Sequence, residues 1–116
     1  MPDSLRDLAR DLDRFAADRD WHKYHAPKNL ASALIVEAGE LLEHFQWMTE
    51  EQSRALTPEQ LREVRGEVAD VLIYLVQLCN ALGVDAVAAA REKLAVNARR
   101  FPVLDTMQRG EPEGSG

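Results

Sequence analysis

The sequence predicts an all-α protein, a four-helix bundle in one domain. Three observations carry that expectation. Apolar residues recur at helical spacing in four separate segments. The links between them are short, polar, or marked by Pro and Gly. No stretch alternates apolar and polar residues as a half-buried strand would, and there is no internal repeat or Gly-rich phosphate loop. Helices joined by short links pack as a bundle.

The first helix is expected over residues 3–18, where Leu5, Leu8, Leu12 and Phe15 keep a helical period. Asp3 or Ser4 can cap it. Residues 18–25 have no period and read as a loop, closed by Pro27 at the start of the next helix. The second helix is expected from about Lys28 to Trp47. Between Leu30 and Leu42 only Ser32, Glu37 and Glu40 interrupt its apolar or small residues. A helix without a polar face must be covered all round, which in so short a chain calls for partner subunits as well as partner helices. Residues 48–57 read as a polar loop with a short helical turn. Thr57 as cap, Pro58 in first position and Gln60 reaching back start the third helix, and Gly83 ends it after Leu82. Its apolar second half is broken by Asp70, Tyr74, Gln77 and Asn80. Asp85 can cap a fourth helix over about Ala86 to Arg100, stopped by Pro102. The domain is thus expected over 1–102, with 103–116 a flexible tail whose Gly, Glu, Pro and Ser suit disorder.

The chain of 116 residues has a formal charge of −6. That argues against a protein holding duplex nucleic acid by counterion release, which needs a basic face. Cys79 is the single cysteine, so no internal disulfide is possible and a reducing cytoplasm fits. With no basic neighbour in sequence it reads as a small buried residue rather than a nucleophile. Charges interrupt Met1 to Leu12, so it reads neither as a signal peptide nor as a membrane span.

Chemistry concentrates in two acidic pairs. Glu37 and Glu40 are three apart on the second helix, as are Glu67 and Asp70 on the third. Residues three apart share a helix face, so each pair projects two carboxylates in one direction. Antiparallel packing would bring the pairs face to face. Acidic pairs are common on solvated faces, but these sit among Leu34, Ile35, Val36, Leu41, Val68, Val71 and Leu72. Gathering four carboxylates costs repulsion and hydration, so a proton or cation must neutralise them. Oxygen-only ligands select a hard cation, Mg²⁺ or Mn²⁺, the usual device for gripping a polyphosphate and activating water. Glu43 is a weaker candidate ligand, and Glu63 reads as solvated. A di-iron site is rejected, because no histidine lies three residues after a glutamate.

Aromatic residues form a second group. Trp21 precedes the second helix, Trp47 ends it, and Tyr74 lies four residues after Asp70 on the same face. Each alone is as readily a core or rim aromatic. Beside a metal site they suggest a stacking platform for a nucleobase. His25 could donate to a base or phosphate, whereas His22 and His44 read as structural. Lys93, Asn97 and Arg100 share a face of the fourth helix and could hold phosphates. By spacing alone the simpler reading is that they stabilise that helix end. Lys28 and Asn29 at a helix start are equally two-sided.

The order of these features resembles a known family. Arg19-Asp-Trp-His-Lys-Tyr-His-Ala-Pro-Lys-Asn-Leu30 precedes Glu37-Ala-Gly-Glu-Leu-Leu-Glu-His-Phe-Gln-Trp47, then Glu67-Val-Ala-Asp-Val-Leu-Ile-Tyr74, then Lys93, Asn97 and Arg99-Arg-Phe-Pro102. This is similar to the MazG-like nucleotide pyrophosphohydrolases, and most to the dCTP pyrophosphatase branch, over about residues 15–102. The resemblance implies the all-α NTP pyrophosphatase fold, assembling as a homotetramer that is a dimer of dimers. It implies that Glu37, Glu40, Glu67 and Asp70 ligate Mg²⁺, that Trp21, His25, Trp47 and Tyr74 line the base pocket, and that Lys93 and Asn97 touch the nucleotide. The implied reaction splits dCTP or its modified forms into monophosphate and pyrophosphate, as nucleotide-pool house-cleaning. Val36 stands where many relatives outside this branch carry a further Glu, and Gly66 where an acid is often seen. Two other readings remain at this point: a non-catalytic nucleotide sensor of the same fold, and a purely structural helical oligomer. The last needs basic partners for the acids, yet no Lys or Arg lies between residues 30 and 53.

Overall fold

A computed structural model of the chain describes residues 4–103. The described residues are helical, without strands: α1 (Leu5–Asp18), α2 (Pro27–Glu43), α3 (Glu50–Ser53), α4 (Pro58–Leu82) and α5 (Ala86–Arg100), with a 3₁₀ turn at His22–Tyr24. The all-α class expected from the sequence is therefore observed. The chain divides into two compact units, the first ending at Ala86 and the second beginning at Val87. In the first unit α4 packs against α2 and α1. In the second, α5 keeps the boundaries read from the sequence, with Arg99 and Arg100 in its last turn. Apart from Val103, the expected tail lies outside the described residues. No single helix is long and apolar enough to cross a membrane among them.

Local chemistry explains the boundaries. The Asp7 N–H donates to Ser4 Oγ at the start of α1. Thr49 with Gln52, and Thr57 with Gln60, form reciprocal capping boxes that start α3 and α4. Two helices end in the same pair of bonds. At α4, Val84 N–H donates to Cys79 O and Gly83 N–H to Asn80 O, with Gly83 at φ 68°. At α1, Trp21 N–H donates to Ala16 O and Asp20 N–H to Ala17 O, with Asp20 at φ 56°. Aspartate tolerates the left-handed region better than most residues. This turn reverses the chain and delivers Trp21 beside the C-terminal end of α1.

One boundary differs from expectation. The second helix ends at Glu43 rather than Trp47. There the His44 and Phe45 N–H groups donate to Leu41 O and Leu42 O, three residues back, so the chain tightens into turns through Trp47. Apolar composition extended the sequence pattern past the point where the α-helical bonding stopped.

The apolar core is slight. Ala16, Leu30, Val64 and Val76 are its buried members. Ile35 on α2 is 69% exposed, and Val36, Leu42, Val68, Leu72 and Leu75 are exposed beside it in the sequence of α2 and α4. Ile35, Val36 and Leu42 belong to the α2 run that the sequence reading marked as needing cover.

Candidate functional site

The packing of α2 on α4 brings the acidic pairs together. One oxygen from each of Glu37, Glu67 and Asp70 lies within 4.8 Å of the other two. Glu37 and Glu67 are half-buried, and their Oε2 atoms are buried without a hydrogen-bond partner. Among the described residues, none of the four acids forms an ion pair with a Lys, Arg or His. Loss of hydration raises the Glu37 carboxyl above its usual value near 4.5; a hydrogen bond with Glu40 opposes this, and a hydrogen bond and negative charge from Glu67 and the charge of Asp70 add to it. Glu40 is exposed at the edge of the cluster. Its carboxyl is raised too, first by its hydrogen bond to Glu37 and by that group's charge, then by loss of hydration.

A hard cation fits this arrangement. The donors are all oxygens, two buried ones have no other partner, and among the described residues no protein cation pairs with them. Oxygens lie about 2.0–2.1 Å from Mg²⁺, so two on one ion are at most about 4.2 Å apart. On an octahedral ion only opposite oxygens stand that far apart and neighbouring ones about 2.9 Å, so the three would have to close by up to about 1.9 Å from the observed 4.8 Å limit.

Next to the acids is an aromatic cleft of about 270 Å³ whose walls include Phe15, Trp21, His25, Asp70, Tyr74 and Gln77. The α1 turn sets its outer wall: Trp21 meets Phe15 edge to face at 5.6 Å and His25 at 6.4 Å between ring centres. The Arg19 guanidinium covers Phe15 at 3.5 Å from the ring centre. The inner wall is one face of α4, since Asp70, Tyr74 and Gln77 follow at spacings of four and three. Asp70 belongs to both the acidic cluster and the cleft.

Residues 33–112 match the family model described as the MazG-like family. The chain belongs to the MazG-like family. Among its relatives, the dCTP pyrophosphatase 1 of Bos taurus is 42% identical over 102 residues, 86% of this chain and 60% of that protein. That of Homo sapiens is 42% identical over 101 residues, covering 85% and 59%. The chain spans about 60% of the length of these curated relatives. A crystal structure of a pyrophosphatase from Archaeoglobus fulgidus matches with a TM-score of 0.80 and 36% identity, over 89% of this chain and 96% of that one. The resemblance to the dCTP pyrophosphatase branch is thus met by sequence similarity over most of the chain.

In this MazG-like chain the remaining first-unit candidates, Lys28, Asn29 and Trp47, do not line the cleft. Trp47 is 88% exposed and does not line the cleft. Lys28 is exposed at the start of α2, and Asn29 Nδ2 donates to Tyr24 O, bracing the loop before that helix. Lys93, Asn97 and Arg100 lie on α5 in the second unit, where the Arg100 guanidinium sits 5.1 Å from the Phe101 ring centre. His22 bonds Asp13 at 2.9 Å, and His44 lies 3.9 Å from Glu63, in keeping with structural roles. The sequence reading missed Phe15 and Gln77 as cleft residues. Phe15 read as ordinary amphipathic core. Gln77 carried a signal in its spacing from Asp70 and Tyr74, which continues the site face by one more helical turn.

Proposed function

We propose that this chain hydrolyses (deoxy)nucleoside triphosphates, dCTP or base-modified dCTP foremost, to the monophosphate and pyrophosphate, with Mg²⁺ as cofactor and Mn²⁺ as a substitute. The observation that carries the reading is the double membership of Asp70. A cation-demanding carboxylate cluster and an aromatic cleft meet at one residue, as a ligand with a polyphosphate at one end and a base at the other requires. The names of the relatives support the same chemistry.

Glu37, Glu67 and Asp70 would hold the cation, with Glu40 completing the set. When bound, Mg²⁺ supplies positive charge opposite the phosphates and makes water more acidic. One of these glutamates takes the proton of the attacking water as general base. Trp21 and Tyr74 flank the base and His25 donates to it, while the surrounding apolar wall keeps bulk water from the stacked ring. Lys28, Asn29, Trp47, Lys93, Asn97 and Arg100 complete the proposed substrate-binding set. The exposed apolar faces of α2 and α4 support a homo-oligomer, a tetramer built as a dimer of dimers. Residues 1–102 form the proposed catalytic domain, acting in the cytoplasm to clear unwanted nucleotides, and neither duplex nucleic acid nor a membrane is a proposed partner.

The test is pyrophosphate release from dCTP with Mg²⁺. Glu40→Gln and Asp70→Asn should each abolish turnover while the oligomer, followed by sedimentation, survives. Wild-type rates in both variants would refute the assignment. Nucleotide binding without any turnover by the unmodified protein would replace the enzyme with a nucleotide sensor.

A further inference from the structure

The acidic and aromatic groups account for gripping phosphates and stacking a ring, but stacking is nearly blind to which base is stacked. Discrimination needs hydrogen-bonding groups at the base edge. The cleft wall contains such a group. Gln77 is the buried polar residue of the first unit, only 9% exposed, and it borders two adjoining spaces. One is the aromatic cleft, and the other is a cleft of about 230 Å³ that shares Leu12, His25 and Gln77 with it. Among the described residues its side chain makes no hydrogen bond, whereas nearby Asn80 is committed to Ala9 O at 3.0 Å. A carboxamide carries two N–H donors and a carbonyl acceptor, and in Gln77 these atoms keep access to solvent although most of the residue is buried, so they are open to a ligand's edge.

We propose that Gln77 is the residue that reads the edge of the substrate base, an inference that rests on the nucleotide reading above. The spacing along α4 suits the task. Seven residues at 1.5 Å each put Gln77 about 10 Å from the level of Asp70, with Tyr74 between them on the same face. A nucleotide lying along that face has its phosphates at the acids, its ring at Tyr74 and Trp21, and its edge at Gln77. The amide oxygen accepts from the cytosine 4-amino group while the amide N–H donates to ring N3, two parallel bonds. Turned over, the same amide accepts from N3–H and donates to the 4-oxygen of thymine or uracil. Gln77 is therefore a base-edge reader that by itself separates cytosine from thymine weakly. A carboxylate in its place would accept one N–H from either base, from the 4-amino group of cytosine or from N3–H of thymine, and would set its second oxygen against a lone pair in both.

The experiment measures kcat and KM with Mg²⁺ for dCTP, dTTP and 3-deaza-dCTP, which lacks the N3 acceptor, on the wild type, Gln77→Met and Gln77→Glu. Gln77→Met should lower kcat/KM for dCTP by about tenfold or more, mostly through KM. The 3-deaza substrate should cost the wild type roughly tenfold and the Met variant nothing further. Gln77→Glu should lower kcat/KM for dCTP and dTTP alike by about tenfold or more, and should abolish the 3-deaza penalty because that substrate lacks the opposing N3 lone pair. Unchanged KM in both variants overturns the proposal, as does an equal 3-deaza penalty in wild type and variants. If either variant fails to fold, the wild-type comparison still decides, because no penalty for losing N3 overturns it. Failure of the nucleotide reading looks different: the wild type then turns over no triphosphate at all.

Discussion

Glu67→Gln offers a sharp test of the carboxylate cluster, because it should move stability in opposite directions with and without a divalent cation. In metal-free wild type, Glu67 faces Glu37 and Asp70 across less than 4.8 Å, and its Oε2 is buried with no partner. Replacing the carboxylate by an isosteric amide removes a like charge and adds a donor for the orphaned Glu37 oxygen. With chelator present, at mildly alkaline pH, the variant should therefore melt no lower than wild type, unlike most substitutions at half-buried sites. With Mg²⁺ at a hundred times its dissociation constant, wild type gains about 2.7 kcal/mol from binding. At about 4–8 °C per kcal/mol for a domain of this size, that is a rise of roughly 11–22 °C. Even outer-sphere partners of a metal are worth about 10- to 100-fold in affinity, so loss of a ligand should weaken binding at least about 100-fold. The variant then gains only about 0.4 kcal/mol at the same Mg²⁺ concentration, a shift of roughly 2–3 °C. Differential scanning fluorimetry with chelator and with MgCl₂ reads both arms. A variant that melts well below wild type in chelator and still shows the full Mg²⁺ response would refute the assignment of these oxygens to a cation site.

Four further expectations follow from the same structure. Trp21→Ala should raise KM for dCTP roughly 5- to 150-fold with little change in kcat, since one stacking face is worth about 1–3 kcal/mol; a kcat effect without a KM effect would remove Trp21 from the base pocket. In metal-free protein the raised Glu37 and Glu40 carboxyls hold protons more tightly folded than unfolded. That contribution to stability is therefore present at low pH and is lost as pH rises from about 4.5 through their folded values, and a metal-free melting profile whose pH slope is unchanged in Glu37→Gln would contradict it. Gly83→Ala should cost about 1–2 kcal/mol because Gly83 sits at φ 68°, while a Cβ there meets no atom within 4 Å; an unchanged melting temperature would show that the α4 end relaxes freely. Ile35→Glu, at a 69% exposed apolar position, should shift the oligomer toward monomer in sedimentation, and an unchanged mass would move the interface off this face of α2.

The amino-acid sequence by itself determined what is settled within a few residues. Thr57 with Gln60, Pro58 and Gly83 mark the two ends of α4 because each bond involved spans fewer than six residues. The three-residue spacing of Glu37 with Glu40 and of Glu67 with Asp70 fixed two acidic faces for the same reason. Tertiary structure alone decided which oxygens meet, drawing Glu37, Glu67 and Asp70 together and leaving Glu40 at the open edge. It also turned Phe15 and Gln77 into walls of the cleft and left Trp47 outside it. Those outcomes depend on how α1 and α2 register against α4, and that register comes from side-chain packing between segments far apart in the chain. No local spacing encodes it.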